Sequence, residues 1–233
     1  MLSTVSPRIA DPALRLALVE SAARLIAEEG ARGLTLRRLA KEVGTSTMAV
    51  YTHFGGMDQL RQEVRREGFS RLAEHLDAVV ASRDPVFDLG LLGWAYCRNA
   101  LTNPNLYRVM FMEVTEPGAP VIGHDTFETL VKAVDRAAQA GRFSPGDAIE
   151  RARQVWALSH GTLALQLANL LTIEDALETL SQGAMNLFIG FGDQPRATQR
   201  SMKRMRRSLL PNNGSATLSS GGLRRMRYGF VGV

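Results

Sequence analysis

The stretch LTLRRLAKEVGTSTMAVYTHFGGMDQL, residues 34–60, holds the clearest structural pattern in the 233-residue chain. Apolar residues recur at helical spacing from residue 35 to residue 43, and Gly44 then ends the run. A hydroxyl residue, Ser46 or Thr47, can cap a second short helix, which a pair of glycines stops. The stretch therefore predicts two short helices joined by a tight turn.

Helical periodicity also runs through the rest of the chain, with no convincing strand alternation. Asp11 and Pro12 favour a helix start, because an aspartate side chain can cap the helix and proline tolerates its first position. Two prolines and two glycines predict a loop over residues 116–123. The remaining predicted helices cover residues 12–29, 58–80, 85–102, 106–112, 127–140, 144–171 and 175–191.

The composition is that of a soluble globular protein, with 45% hydrophobic and 22% charged residues. No run of about 18 uncharged apolar residues occurs, so no membrane-spanning helix is expected. The N-terminus lacks the basic-then-apolar layout of a signal peptide. The single cysteine, Cys97, permits no intramolecular disulfide, which fits a reducing cytoplasm. A cysteine in an apolar helix is either a buried small hydrophobe or a redox sensor.

Charge is unevenly distributed along the chain, whose formal net charge is +5. Residues 194–233 contain nine basic and no acidic residues, whereas residues 76–193 contain eight basic and fourteen acidic ones. The excess of positive charge comes mainly from the tail and does not by itself indicate that the folded part binds nucleic acid. Because no periodic core face continues beyond Asp193, we predict a disordered basic tail, either a solvated appendage or a source of non-specific phosphate affinity.

The segment from residue 157 to residue 171 contains no charged residue. A helix of that composition must be buried on nearly all sides. Two arrangements can bury it: the chain can enclose it alone, or the last two predicted helices can form the interface of a homodimer.

Several features around the quoted stretch match one known family: Gly33-Leu34-Thr35, Leu39-Ala40, Val43-Gly44, Tyr51, His53, Phe54 and Leu60. On these residues and their spacings, residues 14–62 resemble the DNA-binding region of the TetR family of transcriptional regulators. The resemblance implies an all-α fold, with an N-terminal three-helix head that carries a helix-turn-helix and a larger helical C-terminal domain for an effector and for dimerisation. We accordingly expect an N-terminal arm over residues 1–11, the DNA-binding domain over 12–57, the ligand-binding and dimerisation domain over 58–193 and the tail over 194–233.

The resemblance also implies roles for individual residues in DNA binding. Thr35 and Arg37 would touch phosphate or a base edge from the start of the first helix of the motif. The other implied DNA-binding residues, at the turn and along the second helix, are Thr45, Ser46, Thr47, Met48, Tyr51, Thr52 and His53. One position departs from the family: Met57 stands where a lysine usually contacts phosphate, and Arg61, one turn on, is a candidate to replace it.

A second resemblance concerns the C-terminal domain. Trp156, His160 and Gly161, with the segment NPNLYRVMFM at residues 103–112, are similar to the Trp…His-Gly signature of one C-terminal domain type in this family. The residues expected in the wall of an effector pocket are Trp94, Met110, Phe111, Phe127, Val131, Trp156 and His160. The apolar members of this set can equally be plain core, and His160 can be a hydrogen-bonded core histidine or a polar anchor for the effector.

The sequence thus predicts a homodimeric, ligand-responsive transcriptional regulator, acting as a repressor that a small apolar effector releases from a palindromic operator in double-stranded DNA. Its scattered histidines and lone cysteine indicate no metal site, and no cofactor and no enzymatic activity are expected. Two alternatives stay open: a helical adaptor or sensor that has lost specific DNA binding, and a small all-α enzyme that uses His53 or His160.

Overall fold

The computed structural model describes residues 11–111 and 122–209 of the chain. The predicted arm before Asp11, most of the predicted loop at residues 116–123 and the final residues 210–233 lie outside these ranges. The described residues form helices and no strand, which confirms the predicted all-α fold, and none of the helices is both long and apolar enough to cross a membrane. The helices are α1 (Pro12–Glu29), α2 (Leu36–Val43), α3 (Thr47–Phe54), α4 (Met57–Asp77), α5 (Pro85–Thr102), α6 (Pro104–Phe111), α7 (His124–Gln139), α8 (Ala148–Leu167), α9 (Ile173–Gly190) and α10 (Pro195–Leu209).

Side chains cap the first three helices at the positions that the sequence indicates. The carboxylate of Asp11 accepts the backbone N–H of Ala13 at 2.9 Å, and Pro12 occupies the first position of α1. Thr35 and Ser46 cap α2 and α3 by accepting backbone N–H groups at 3.3 Å and 3.1 Å. The predicted three-helix head, α1 to α3, is therefore confirmed.

Helix α8 begins later and ends earlier than the predicted range of 144–171. Its N-cap is Asp147, whose carboxylate accepts two backbone N–H groups of the first turn at 2.8 Å and 3.2 Å. Ser144 instead donates its backbone N–H to the carbonyl of Phe191 at 2.8 Å, which holds that segment as a loop beside the end of α9. The predicted helix start at Ser144 is wrong, because its backbone is bound elsewhere and a carboxylate further along the chain caps the helix.

The predicted disorder of residues 194–233 is wrong for residues 195–209, which form α10. The buried side of this helix consists of Thr198, Ser201, Met202 and Met205, which share one helical face. Two of the four are hydroxyl residues, and an apolar pattern therefore does not reveal this face in the sequence.

An ionic network anchors α10 to the C-terminal domain, α4 to α10. Arg142, in the loop after α7, donates to both carboxylate oxygens of Asp193 and to Asp84, each at 2.7 Å. Ser201 donates its hydroxyl to Asp84 at 2.7 Å, and Thr198 donates to Asp193 at 2.6 Å. The two buried hydroxyls of α10 thus have charged partners, which offsets the cost of removing them from water.

Among the three apolar cores of the described residues, the two largest follow each other along the molecule, and two helices contribute to both. The head core is built from α1, α2 and α3 together with Leu60 and Val64 of α4 and Leu106 and Val109 of α6. The larger core contains the second half of α4 and Met110 of α6. Packing is thus continuous along α4 and α6 between the C-terminal domain and the head.

The chain alone does not enclose α8, contrary to one of the two arrangements considered above. Leu165 is 46% exposed, and a Cβ placed on Gly161 would meet no atom within 4 Å. The buried residues of this helix are Ala152, Val155, Thr162 and Leu163. One side of α8 therefore faces solvent in the single chain.

Candidate functional site

The turn between α2 and α3 contains a residue in the left-handed conformation. Gly44 ends α2 with φ 72° and ψ 33°, a conformation that favours glycine. The backbone N–H of Thr45 donates to the carbonyl of Ala40 at 2.8 Å and closes the end of α2. Of the predicted DNA-binding residues, Thr35, Thr45 and Ser46 thus shape the motif itself, the first and last of them as helix caps.

The outer face of α3 carries four more of the predicted residues, here called the α3 row: Thr47, Met48, Tyr51 and Thr52. All four are exposed, Met48 by 71% and Tyr51 by 50%. They stand at positions i, i+1, i+4 and i+5, which is one side of a helix. The opposite side is anchored in the head core by Val50 and Phe54. A short helix anchored in this way presents its free side to whatever the head contacts, as recognition helices do in the major groove.

His53 lies at the edge of the α3 row and is half-buried. Its ring is 6.0 Å from that of Phe54, and its Nδ1 is buried with no hydrogen-bond partner among the described residues. His53 therefore packs partly against the head instead of joining the exposed side of α3. The described ranges also contain no group of three or more His, Cys, Asp or Glu side chains that could hold a metal ion.

The basic side chains of the head differ in whether they form ion pairs. Arg15, Arg24 and Arg38 each form an ion pair with a glutamate of α4, α2 or α1. Arg37 and Lys41 are exposed on α2 and form no ion pair within the described part of the chain. Because a cation without an acidic partner is available to a phosphate, these two can contact a DNA backbone from α2.

Met57 begins α4 and is partly buried against the head core. Arg61, one turn on, donates from its guanidinium group to the backbone carbonyl of Ala31 at 3.1 Å. Its charge is thus directed to the loop between α1 and α2. Without DNA, the guanidinium group of Arg61 is therefore engaged by the head itself.

A cavity of about 330 Å³ lies in the C-terminal domain between α4, α5, α7 and α8. Small-molecule sites usually measure about 300–1,000 Å³, so this one suits a small ligand. Its wall is mainly aromatic and aliphatic and includes one arginine, Arg65, and no acidic side chain is among the described residues that line it. Four of the seven residues predicted for a pocket wall line this cavity: Met110, Phe111, Phe127 and Trp156.

The other three predicted pocket residues lie outside this wall. Trp94 lines a second cavity of about 80 Å³ between α5, α8, α9 and α10. Val131 is partly buried and packs against the larger core. His160 faces Tyr107. Helical spacing alone does not tell which side of a helix meets a cavity and which side meets ordinary core, and none of these three residues lies in the wall of the larger cavity.

A hydrogen-bonded row of rings, Tyr96, Tyr107 and His160, leads away from the cavity. Tyr96 lines the cavity, and its hydroxyl is 3.1 Å from that of Tyr107, which in turn is 2.8 Å from Nδ1 of His160. Burial raises the pKa of Tyr96 to about 12 and lowers the pKa of His160 below its usual value. Both groups are therefore uncharged at neutral pH. Neither tyrosine is among the predicted site residues, although Tyr107 lies in the segment that carries the second resemblance.

Helix α6 touches both the cavity and the head. Met110 and Phe111 line the cavity, whereas Leu106 and Val109 belong to the head core. Gly68 of α4 lets α6 approach closely, because a Cβ on Gly68 would lie 2.6 Å from Sδ of Met110. Helix α6 thus connects the wall of the cavity with the head core.

Two family models match the chain. Residues 18–64 match the model of the bacterial regulatory proteins of the tetR family, and residues 89–188 match that of the tetracyclin repressor-like C-terminal domain. The first match contains the helix-turn-helix and the α3 row. The second contains most of the cavity wall, the row of rings and the exposed side of α8.

Similar proteins extend over both domains. The uncharacterized HTH-type transcriptional regulator YobS of Bacillus subtilis (strain 168) is 26% identical over 178 residues, which is 76% of this chain and 91% of that protein. The HTH-type transcriptional repressor DrrR1 of Streptomyces coeruleorubidus is 29% identical over 132 residues, 55% of this chain and 44% of that protein. Among solved structures, a protein with unknown function from Rhodococcus sp. RHA1 superposes with a TM-score of 0.68 at 28% identity, over 81% of this chain and 100% of that one.

Proposed function

The chain belongs to the TetR family of bacterial regulators and is a ligand-responsive, DNA-binding repressor, and we propose that it works as a homodimer that a small apolar effector releases from a palindromic operator. The α3 row carries this proposal, because it is exposed on a helix whose other side is anchored in the head core. In this proposal the chain regulates transcription and catalyses no reaction.

Each head inserts α3 into a major groove of the operator. The hydroxyl and thioether groups of the α3 row then face base edges, which carry the sequence information. Thr35 and Arg37, at the start of α2, face phosphates and fix the position of the head. Two heads related by a two-fold axis occupy successive major grooves, about 34–36 Å apart.

The dimer forms through the exposed sides of α8 and α9. Ala157, Gly161 and Leu165 follow one another along the exposed side of α8, and the exposed Ala168 is its C-cap. Most of these residues are small, so a helix of a second copy can approach closely and cover an apolar surface that the single chain leaves in water. Helix α10 packs on α5 and α9, and the predicted interface of two helices therefore refers to α8 and α9.

An effector in the cavity lowers operator affinity through α6. Because a ligand shifts an equilibrium only through a difference in affinity, it must bind better to the arrangement whose heads no longer fit the operator. Displacement of Met110 or Phe111 is transmitted to Leu106 and Val109, which are packed in the head core. The spacing of the two heads changes as a result.

Selection of bound sequences from a random pool of double-stranded DNA tests the proposal. We expect a two-fold symmetric consensus whose half-sites are about one helical turn apart. A gel-shift series at increasing salt on the selected site then gives the number of phosphate contacts from the slope. Failure to enrich any sequence would contradict the proposal and favour the helical adaptor or sensor.

A further inference from the structure

The two cavities described above, both in the C-terminal domain, meet at three shared residues. Gly93 of α5 and Val155 and Ser159 of α8 line both the larger cavity, of about 330 Å³, and the smaller one, of about 80 Å³. The cavities are therefore neighbours at the place where α5 and α8 come together.

Gly93 leaves open space at this junction. A Cβ built on Gly93 would meet no atom within 4 Å. On the same helix, a Cβ on Gly90 would lie 3.1 Å from Sδ of Met202, so the packing of α10 accounts for that glycine. Packing does not account for Gly93, although a glycine inside a helix weakens the helix. Gly93 therefore leaves open space where the two cavities meet.

The surroundings of the junction are apolar. Ser159 donates its hydroxyl to the carbonyl of Val155 at 2.9 Å, so the polar group of this side chain is already satisfied. The far wall of the smaller cavity includes Trp94, Met202 and Met205. Thioether side chains adapt to the shape of what they contact. The smaller cavity therefore suits a hydrocarbon segment and not a polar group.

We propose that the two cavities form one bent site for an elongated effector with a polar end and an unbranched hydrocarbon chain. The polar end lies in the larger cavity, whose wall includes the polar side chains of Arg65, Tyr96 and Thr126, and the chain passes beside Gly93 to reach Trp94 in the smaller cavity. This inference rests on the proposed function, since it names the chemical class of the effector. In this inference the affinity of the site depends on the length of the hydrocarbon chain, because only a chain long enough to pass Gly93 reaches α10.

The two tryptophans of the chain report on the two cavities separately, because Trp156 lines the larger one and Trp94 the smaller one. The primary alcohols hexanol, octanol, decanol and dodecanol serve as probes, and fluorescence of Trp94→Phe and Trp156→Phe variants separates the two emissions. We expect short alcohols to change the emission of Trp156 alone and long ones to change both. Affinity should rise by about fourfold for each methylene that leaves water, and the rise should continue in the alcohols that reach Trp94.

Gly93→Leu tests the junction, and Gly93→Ala is its matched control. Leucine fills the open space beside position 93, whereas alanine adds one methyl group there. Because Gly93 also lines the larger cavity, we expect Gly93→Leu to lose at least about tenfold more affinity for dodecanol than for hexanol, and to lose the response of Trp94. Gly93→Ala should lose less dodecanol affinity than Gly93→Leu and keep the response of Trp94, and thermal melting confirms that each variant is folded.

Three results would overturn the inference: unchanged dodecanol affinity in Gly93→Leu, no response of Trp94 at saturation with dodecanol in the Trp156→Phe protein, or no binding of any alcohol in the series. Operator affinity is measured on the same samples with the selected DNA. Selective operator binding together with a negative alcohol result rejects only the elongated effector. If the protein selects no operator sequence, the proposed function is rejected, whatever the result of the alcohol-binding measurements.

Discussion

The hydroxyl of Tyr107 lies 2.8 Å from Nδ1 of His160, so that a residue of α6 and a residue of α8 are tied together inside the C-terminal domain. Tyr107 is fully buried, and its hydroxyl is also 3.1 Å from that of Tyr96. Burial raises the pKa of Tyr107 above its ordinary value, which keeps the hydroxyl protonated at neutral pH. The pair connects the helix that packs into the head core with the helix whose exposed side we propose as the dimer interface.

Tyr107→Phe removes the shared hydroxyl and keeps the ring. We expect the free energy of unfolding to fall by about 1–3 kcal/mol, because two partly buried polar groups lose a partner. Urea unfolding followed by circular dichroism measures the change. Tyr51→Phe is the matched control, since Tyr51 is 50% exposed, and it should change stability by less than about 0.5 kcal/mol. Equal changes in both variants would show that the buried hydroxyl has no special role.

Arg37→Ala and Tyr51→Ala should weaken operator binding and leave helix content and oligomeric state intact. Loss of one phosphate contact in each of two heads should reduce the salt slope of Arg37→Ala by about 1.8. Gel shifts over a salt series measure both quantities. Lys132→Ala removes an exposed cation of α7, far along the chain from the head, and serves as control. Unchanged operator affinity in both head variants would reject the assigned contacts.

Met57→Lys should strengthen operator binding, because it supplies the ammonium group that the family usually has at this position. A lysine stem can cover the apolar surface that Met57 covers while its charge reaches outward. The salt slope of a dimer should steepen by about 1.8. Gln59→Lys adds the same charge at an exposed neighbouring position. An equal gain from Gln59→Lys would mean that net charge, and not a specific contact, is responsible.

Asp84→Asn should destabilise the protein at neutral pH and have little effect in acid. Burial alone would raise the pKa of Asp84, but hydrogen bonds from Ser201 and the Phe87 N–H, with the charge of Arg142, outweigh it and lower the pKa. A carboxylate with a lowered folded pKa contributes stability above its ordinary pKa, near about 4, and this contribution is lost as the pH falls through the folded value.

Urea unfolding from about pH 7 down to about pH 3 measures this dependence. The difference between Asp84→Asn and the unmodified protein should be about 1 kcal/mol at neutral pH, because solvent screens a partly exposed group, and should shrink below about pH 4. Asp77→Asn, at the exposed end of α4, is the control and should show no such trend. A difference that is constant over the whole pH range would contradict the ionic anchoring of α10.

Leu165→Glu should convert the proposed dimer into monomers, because it places a charge in the apolar surface that a second copy would cover. Sedimentation velocity measures the oligomeric state, and operator affinity should fall with it. Val80→Glu is the control, since Val80 is 82% exposed beyond the end of α4 and away from α8. A Leu165→Glu protein that still sediments as a dimer would exclude this side of α8 as the interface.

Helix boundaries are predictable where the capping group lies next to the helix in the sequence. Asp11 and Thr35 begin α1 and α2 as predicted, because each cap is completed by the N–H of a residue two or three positions away. The start of α8 and the existence of α10 depend instead on contacts between distant segments. Ser201 is bound to Asp84, which lies 117 residues earlier, and periodicity carries no information about such a contact.

The two parts of the candidate site, the α3 row and the cavity wall, also differ in how far the sequence predicts them. The α3 row follows from the sequence, because a short helix anchored by Val50 and Phe54 has only one other side. The cavity wall does not follow, since Trp94 and Val131 have the same apolar character as the residues that line it. Tertiary packing decides which side of α5 and α7 meets the cavity, and it also brings Tyr96 to a position that its sequence neighbours do not indicate.

The arrangement of α6 has a practical consequence for building biosensors from this protein. Met110 and Phe111 lie on a helix that is also packed into the head, so in the proposed mechanism substitutions there should alter effector preference and operator binding together. Phe127 and Leu130 of α7 line the cavity and pack only in the largest of the described cores. A mutant library confined to these two positions can retarget the sensor to new molecules while its promoter stays the same.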